Sequence, residues 1–130
     1  MSIRAGAAIV EILTSDETIQ RLVGDRVYPI LSQEDTKFPY IAYRRKGLTP
    51  AYTKTPHKVE DSVYIDIAIV SDKYEESLDV AVVVLSVLEK KRGLFAGIDI
   101  NEILLADSEE EAGEGYMQRL EFEIFINKLK

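Results

Sequence analysis

Apolar and polar positions change period several times along the chain, and each change marks an element. Ile3, Ala7, Val10 and Leu13 recur at helical spacing and predict a first helix over about residues 3–13. Ser15 before Asp16 and Glu17 suits an N-cap followed by first-turn acids, which the helix dipole favours. The short second helix, about 16–23, turns Ile19, Leu22 and Val23 inward and stops at Gly24. From Arg26 the pattern turns β-prone, and Pro29 within 26–31 implies an edge strand or a strand end.

Pro39 opens a stronger strand over 40–46, and a turn-rich stretch with Pro50 and Pro56 runs from Gly47 to about Glu60. Val63, Ile65, Ile67 and Ile69 then alternate with Tyr64, Asp66 and Ala68, the period of a half-buried strand. Ser71–Glu75 begins the main helix, with Asp72 and Glu75 at capping-box spacing. Its expected buried stripe is Leu78, Val82, Leu85 and Leu88, flanked by Ala81, and Gly93 is its expected stop after the basic run Lys90–Arg92. Two further strands are expected at 98–107 and 117–127, the last with Leu120, Phe122, Ile124 and Ile126 on one side and Glu121 and Glu123 on the other. The order ααβββαββ predicts an α+β fold: an antiparallel sheet of about five strands, with a mixed sheet as the alternative, and helices on one face.

Length fits this plan. The 130 residues support one domain, and their make-up (46% hydrophobic, 30% charged) is that of an ordinary globular chain. No apolar run approaches the ~20 residues of a membrane span, and the N-terminal stretch lacks a secretory pattern. A reducing, aqueous compartment without membrane attachment is therefore expected.

Several chemistries drop out. The chain has no cysteine, which excludes disulfides, thiolate metal sites and a cysteine nucleophile. Its one histidine, His57, lies in Thr55-Pro56-His57-Lys58 with no acid nearer than Glu60, so it reads as an exposed loop residue, not a general base. Gly93-Leu94-Phe95-Ala96-Gly97 follows a helix instead of leading into one, so it reads as loop punctuation and not as a phosphate cradle. An enzyme would have to rely on Asp66, Glu121, Glu123 or tyrosines. No catalytic residue, cofactor or metal is expected.

Charge is unevenly placed. The net charge of −7 disfavours general nucleic-acid binding. Yet Arg44, Arg45, Lys46, Lys54 and Lys58 form a basic segment containing Tyr52. Asp99, Glu102, Asp107, Glu109, Glu110, Glu111 and Glu114 form an acidic one without a base. The acidic run lacks the alternating offsets of a calcium loop and reads as a solvated or partner-facing hairpin loop. Tyr28, Tyr40, Tyr43, Tyr52 and Tyr64 fall in or beside the first three strands, as core packing or as part of an oligomer interface.

A family resemblance enters on four motifs in order: Val23-Gly24-Asp25-Arg26-Val27-Tyr28-Pro29, Phe38-Pro39-Tyr40-Ile41-Ala42-Tyr43, Thr49-Pro50-Ala51-Tyr52-Thr53 and Tyr64-Ile65-Asp66-Ile67-Ala68-Ile69. Over about residues 5–92 this succession resembles the tail completion (tail-terminator-like) family of long-tailed bacteriophages and prophages. The resemblance implies a structural subunit without catalytic residues that forms a ring, often hexameric, at the end of the tail tube. There it stops tube polymerisation and joins tail to head, with tail-tube and head–tail connector proteins as partners. It implies residence in the bacterial cytoplasm during assembly, and in the tail or neck of finished particles. No sequence-specific DNA binding follows, although DNA passes through such a ring, and an acidic lining would keep it from sticking. On this reading Arg44, Arg45, Lys46, Tyr52, Lys54 and Lys58 of one subunit face Glu109, Glu110 and Glu111 of the next. The alternative is a small α+β module that binds a ligand or protein without catalysis.

Overall fold

The computed structural model describes residues 2–30, 37–51, 60–113 and 115–127. A 3-10 turn, Ser2–Arg4, leads into α1 (Ala5–Thr14) and α2 (Glu17–Val23). Strands β1 (Val27–Pro29), β2 (Tyr40–Thr49) and β3 (Glu60–Ser71) follow, then α3 (Tyr74–Leu88), β4 (Gly93–Phe95), β5 (Ile98–Ala112) and β6 (Tyr116–Asn127). Among the described residues six strands form one sheet in the order β1-β2-β3-β6-β5-β4. The architecture is α+β, as the sequence predicts.

The sheet is mixed. β1 runs parallel to β2, while every other pair is antiparallel. β3 and β6 are central and fully paired, so their core-facing residues read as clean alternation: Val63, Ile65, Ile67 and Ile69 on one, Leu120, Phe122, Ile124 and Ile126 on the other. These side chains meet Ile9, Ile12, Leu13, Val80, Val84 and Leu88 of the helices in a single core. On this face Gln118 of β6 donates to Ser77 Oγ at 3.3 Å, and Ser77 in turn donates to the Tyr74 carbonyl at 2.6 Å. The buried polar pair is therefore satisfied instead of being a cost.

The helices form where expected, but with rotated faces. α1 buries Ala5, Ala8, Ile9, Ile12 and Leu13, leaving Ile3 and Ala7 exposed. α3 buries Ser77, Val80, Ala81, Val84 and Leu88, while Val82 is 67% exposed. Their caps differ too. Asp16, not Ser15, caps α2 by accepting from the Ile19 amide at 3.0 Å, and Gly24 at φ 61° ends it. At α3 the capping-box pair is not Asp72 with Glu75: Ser71 donates to Glu76 Oε1 at 2.6 Å and accepts from the Lys73 amide. α3 stops at Leu88, well before Gly93, because Lys90 turns to φ 64° and its amide donates to the Ile103 carbonyl of β5.

Two segments read as loops are strands. Gly93–Phe95 pairs with Ile98–Ile100 around Ala96 and Gly97, both at positive φ, the backbone of a tight two-residue hairpin. The acidic stretch is also extended over its described residues 107–112. β5 continues to Ala112, pairing with β6 back to Tyr116, although residues 106–113 are exposed. An exposed strand paired on one side shows little hydrophobic alternation, so its charge read as a loop.

Candidate functional site

Among the described residues no helix covers the second face of the sheet, and strand pairing fixes what lies there. At one level Arg44 of β2 pairs with Asp66 of β3, Asp66 with Glu121 of β6, and Glu121 with Asp107 of β5. Three adjacent carboxylates would repel one another without nearby cations. Arg44 Nη2 lies 3.4 Å from Asp66 Oδ2, Lys46 Nζ donates to Glu121 Oε1 at 2.9 Å, and Arg119 Nη1 lies 3.4 Å from Glu111 Oε2. The Glu121 bond raises the pKa of Lys46, and a bond from the Tyr64 hydroxyl to Glu123 at 3.1 Å raises that of Tyr64.

Arg44, Lys46, Asp66, Asp107, Arg119 and Glu121 line a polar groove with Ser108 and Glu109. Beyond Arg44, Asp66 and Arg119 it grades into an apolar trough that includes Tyr40, Ala42, Ala68, Val70 and Met117. Asp66 sits at the junction. Its side chain is 9% exposed, yet Oδ1 has no hydrogen-bond partner among the described residues. A buried acceptor in that state is a place where an incoming donor gains most.

The sheet edges carry charge of opposite sign. β1 covers only Ile41–Tyr43 of β2, so from Arg44 onward that edge has no strand partner among the described residues. A bulge separates Arg45 and Gly47 there, the irregularity that often breaks pairing at an edge. On the opposite edge β4 covers Ile98–Ile100 of β5 and the Lys90 amide reaches Ile103, leaving Leu104–Ala112 without a strand partner among the described residues. Glu109 and Glu111 point to the helix-free face with Arg119 and Met117; Glu110 points the other way and accepts from the Tyr74 hydroxyl at 2.8 Å.

The sequence-predicted residues therefore divide. Arg44, Arg45 and Lys46 lie together on the β2 edge, and Glu109, Glu110 and Glu111 on the β5 edge. Within one subunit Arg44, Lys46 and Glu109 line the same groove. Tyr52, Lys54, His57, Lys58 and Glu114 lie outside the described residues. Sequence reasoning passed over Arg119; its register in β6, one residue before Leu120, was the available sign that it shares a face with Glu121. Asp66, which the sequence offers only as a candidate catalytic acid, is the buried partner of Arg44. Among the described residues no group of three or more His, Asp or Glu is placed to hold a metal ion, and no helix is long and apolar enough to cross a membrane.

Comparison with known proteins adds three findings. A model of the family described as tail completion protein gp17 matches residues 7–124. A solved structure from the virion of a native gene transfer agent (GTA) particle contains a chain of the same fold. The two superpose with a TM-score of 0.79 at 16% identity, covering 95% of this chain and 96% of that one. No curated protein matches. With the family pattern extending across nearly every element of the sheet and helices, this chain belongs to the tail completion protein gp17 family, and its role is structural, in a phage-type tail.

Proposed function

We propose that the protein closes into a ring of identical subunits at the end of a tail tube, stops tube polymerisation there and presents the surface that receives the head. The observation that supports this reading most is the family match over residues 7–124. The fold shared with a chain of a gene transfer agent virion agrees with it. So does the surface: a sheet with one helix-free face and edges of opposite charge is suited to head-to-tail contacts, which close into a ring when the rotation fits. Arg44, Arg45 and Lys46 of one subunit, with Tyr52, Lys54 and Lys58, face Glu109, Glu110 and Glu111 of its neighbour, where opposite charge supplies steering and register. The excess of acids, 23 against 16 basic residues, suits a part that surrounds passing DNA without binding it.

Loss of the gene from a phage or prophage that encodes it tests the proposal. Tube termination by this protein requires tails of uncontrolled length and heads that remain unjoined, both visible by negative-stain microscopy. Tails of normal length attached to filled heads in the deletion strain would refute it.

A further inference from the structure

We propose that neighbouring subunits join edge to edge, the free β2 edge of one pairing antiparallel with the free β5 edge of the next, with Arg44 opposite Glu111. The inference rests on the ring reading and names the contact that builds it. Three observations lead to it.

First, the two edges are bare where their charges are densest. β2 offers Arg44, Arg45 and Lys46, and β5 offers Glu109, Glu110 and Glu111, each without a strand partner on its outer side among the described residues. Such edges are templates for another strand. Like charge keeps β2 from pairing with another β2, and β5 with another β5. Basic against acidic is the pairing left open, and it is heterologous, as a ring requires.

Second, the strand directions agree. β2 is antiparallel to β3, β3 to β6 and β6 to β5, so β2 and β5 of one subunit run in opposite senses. Placing a second copy beside the first in the same orientation therefore makes an antiparallel β2–β5 contact, the pattern already used within the sheet.

Third, face parity selects the register. Level with Arg44 in its own subunit is Asp107, reached through Asp66 and Glu121. At that level β1 already covers the residues before Arg44, so the neighbour's acidic strand must slide to reach the bare edge. A slide of four residues, about 13 Å at ~3.3 Å per residue, brings Glu111 opposite Arg44 and keeps both on the helix-free face. The same slide sets Arg45 near Glu110 and Lys46 near Glu109. Staggered edges of this kind are what let a sheet curve into closure. Arg44 has the donors to spare: its side chain is 56% exposed, and its contact with Asp66 engages one of its nitrogens.

The chain has no cysteine, so a pair introduced as Arg44→Cys with Glu111→Cys reports this contact alone. Under mild oxidation the double variant gives a ladder of covalent multimers on a non-reducing gel, ending at the ring. Each single variant gives dimers at most. Native mass spectrometry of the unsubstituted protein separates the two claims. Oligomers there without a ladder in the double variant would overturn the edge contact and leave the ring standing. Monomers at every concentration, again without a ladder, would overturn both. Because both positions are solvent-facing strand residues, circular dichroism of the reduced double variant should match that of the parent, which checks that folding is intact.

Discussion

At the scale of single residues, two kinds of constraint stand out: hydroxyls paired with carboxylates, and a glycine held by neighbouring backbone. Tyr74 donates to Glu110 and packs edge-on against Tyr116, with ring centroids 5.6 Å apart. The bond to Glu110 first, then burial and the Glu110 charge, raise the pKa of Tyr74. Because the folded-state pKa is raised, this bond stabilises the fold below the ordinary tyrosine value of about 10 and is lost as pH climbs through the raised one. An NMR titration of 13Cζ-labelled tyrosine should show Tyr74 ionising late. Glu110→Gln should bring it down without moving Tyr64, whose partner is Glu123; an unmoved Tyr74 would remove Glu110 as the cause. Gly115 presents the other constraint. A Cβ there would sit 2.9 Å from the Ser71 carbonyl oxygen and 3.2 Å from the Phe38 ring. Since that oxygen belongs to backbone at the end of a central strand, Gly115→Ala should cost about 1–3 kcal/mol. Chemical denaturation reads it directly, and an unchanged midpoint would mean that the β5–β6 turn yields.

At the scale of elements, α3 shows where periodicity runs out. Residues 80–85 are Val-Ala-Val-Val-Val-Leu, apolar on every side, so several threads at i, i+3 and i+4 spacing fit equally well. The sheet chooses among them, turning Val80 and Val84 inward and Val82 outward. Val82→Lys should therefore change stability by no more than about 0.5 kcal/mol. Val84→Lys buries an unpaired charge and should cost about 3 kcal/mol or more. Thermal melts of the two variants decide, and equal losses would contradict the observed face. α1 repeats the lesson with Ala, Ile and Val around most of its circumference. By contrast the middles of β3 and β6 were legible almost residue by residue, because over 63–69 and 120–126 the large aliphatics occupy one of a strand's two phases. The candidate site was half legible. The charge segregation is visible in the chain, but only pairing register shows that Arg44, Asp66, Glu121 and Asp107 share one level, or that the acidic run is strand and not loop.

At the scale of the whole molecule, charge does two separable jobs, and salt should separate them. Inside the subunit the cations Arg44 and Lys46 are about half exposed, and pairs with both ends exposed, such as Arg119–Glu111, contribute roughly 0–1 kcal/mol each. Stability comes instead from the aliphatic core between sheet and helices, which salt does not weaken. Between subunits the proposed edge contact sets three bases against three acids, and their encounter is steered across a distance that salt shortens. The Debye length falls from about 10 Å at 0.1 M to about 3 Å at 1 M. Raising sodium chloride over that range should leave the melting temperature within a few degrees, because few intramolecular pairs are at stake. Over the same range light scattering should show the oligomer mass falling toward that of the 14.7 kDa monomer. Reversing Arg44, Arg45 and Lys46 to Glu should reproduce the high-salt mass at low salt, and making Glu109, Glu110 and Glu111 basic in the same chain should restore part of the assembly. An assembly whose mass ignores both salt and reversal would be held by the apolar trough around Tyr40, Val70 and Met117, and the charged edges would then have no part in joining subunits.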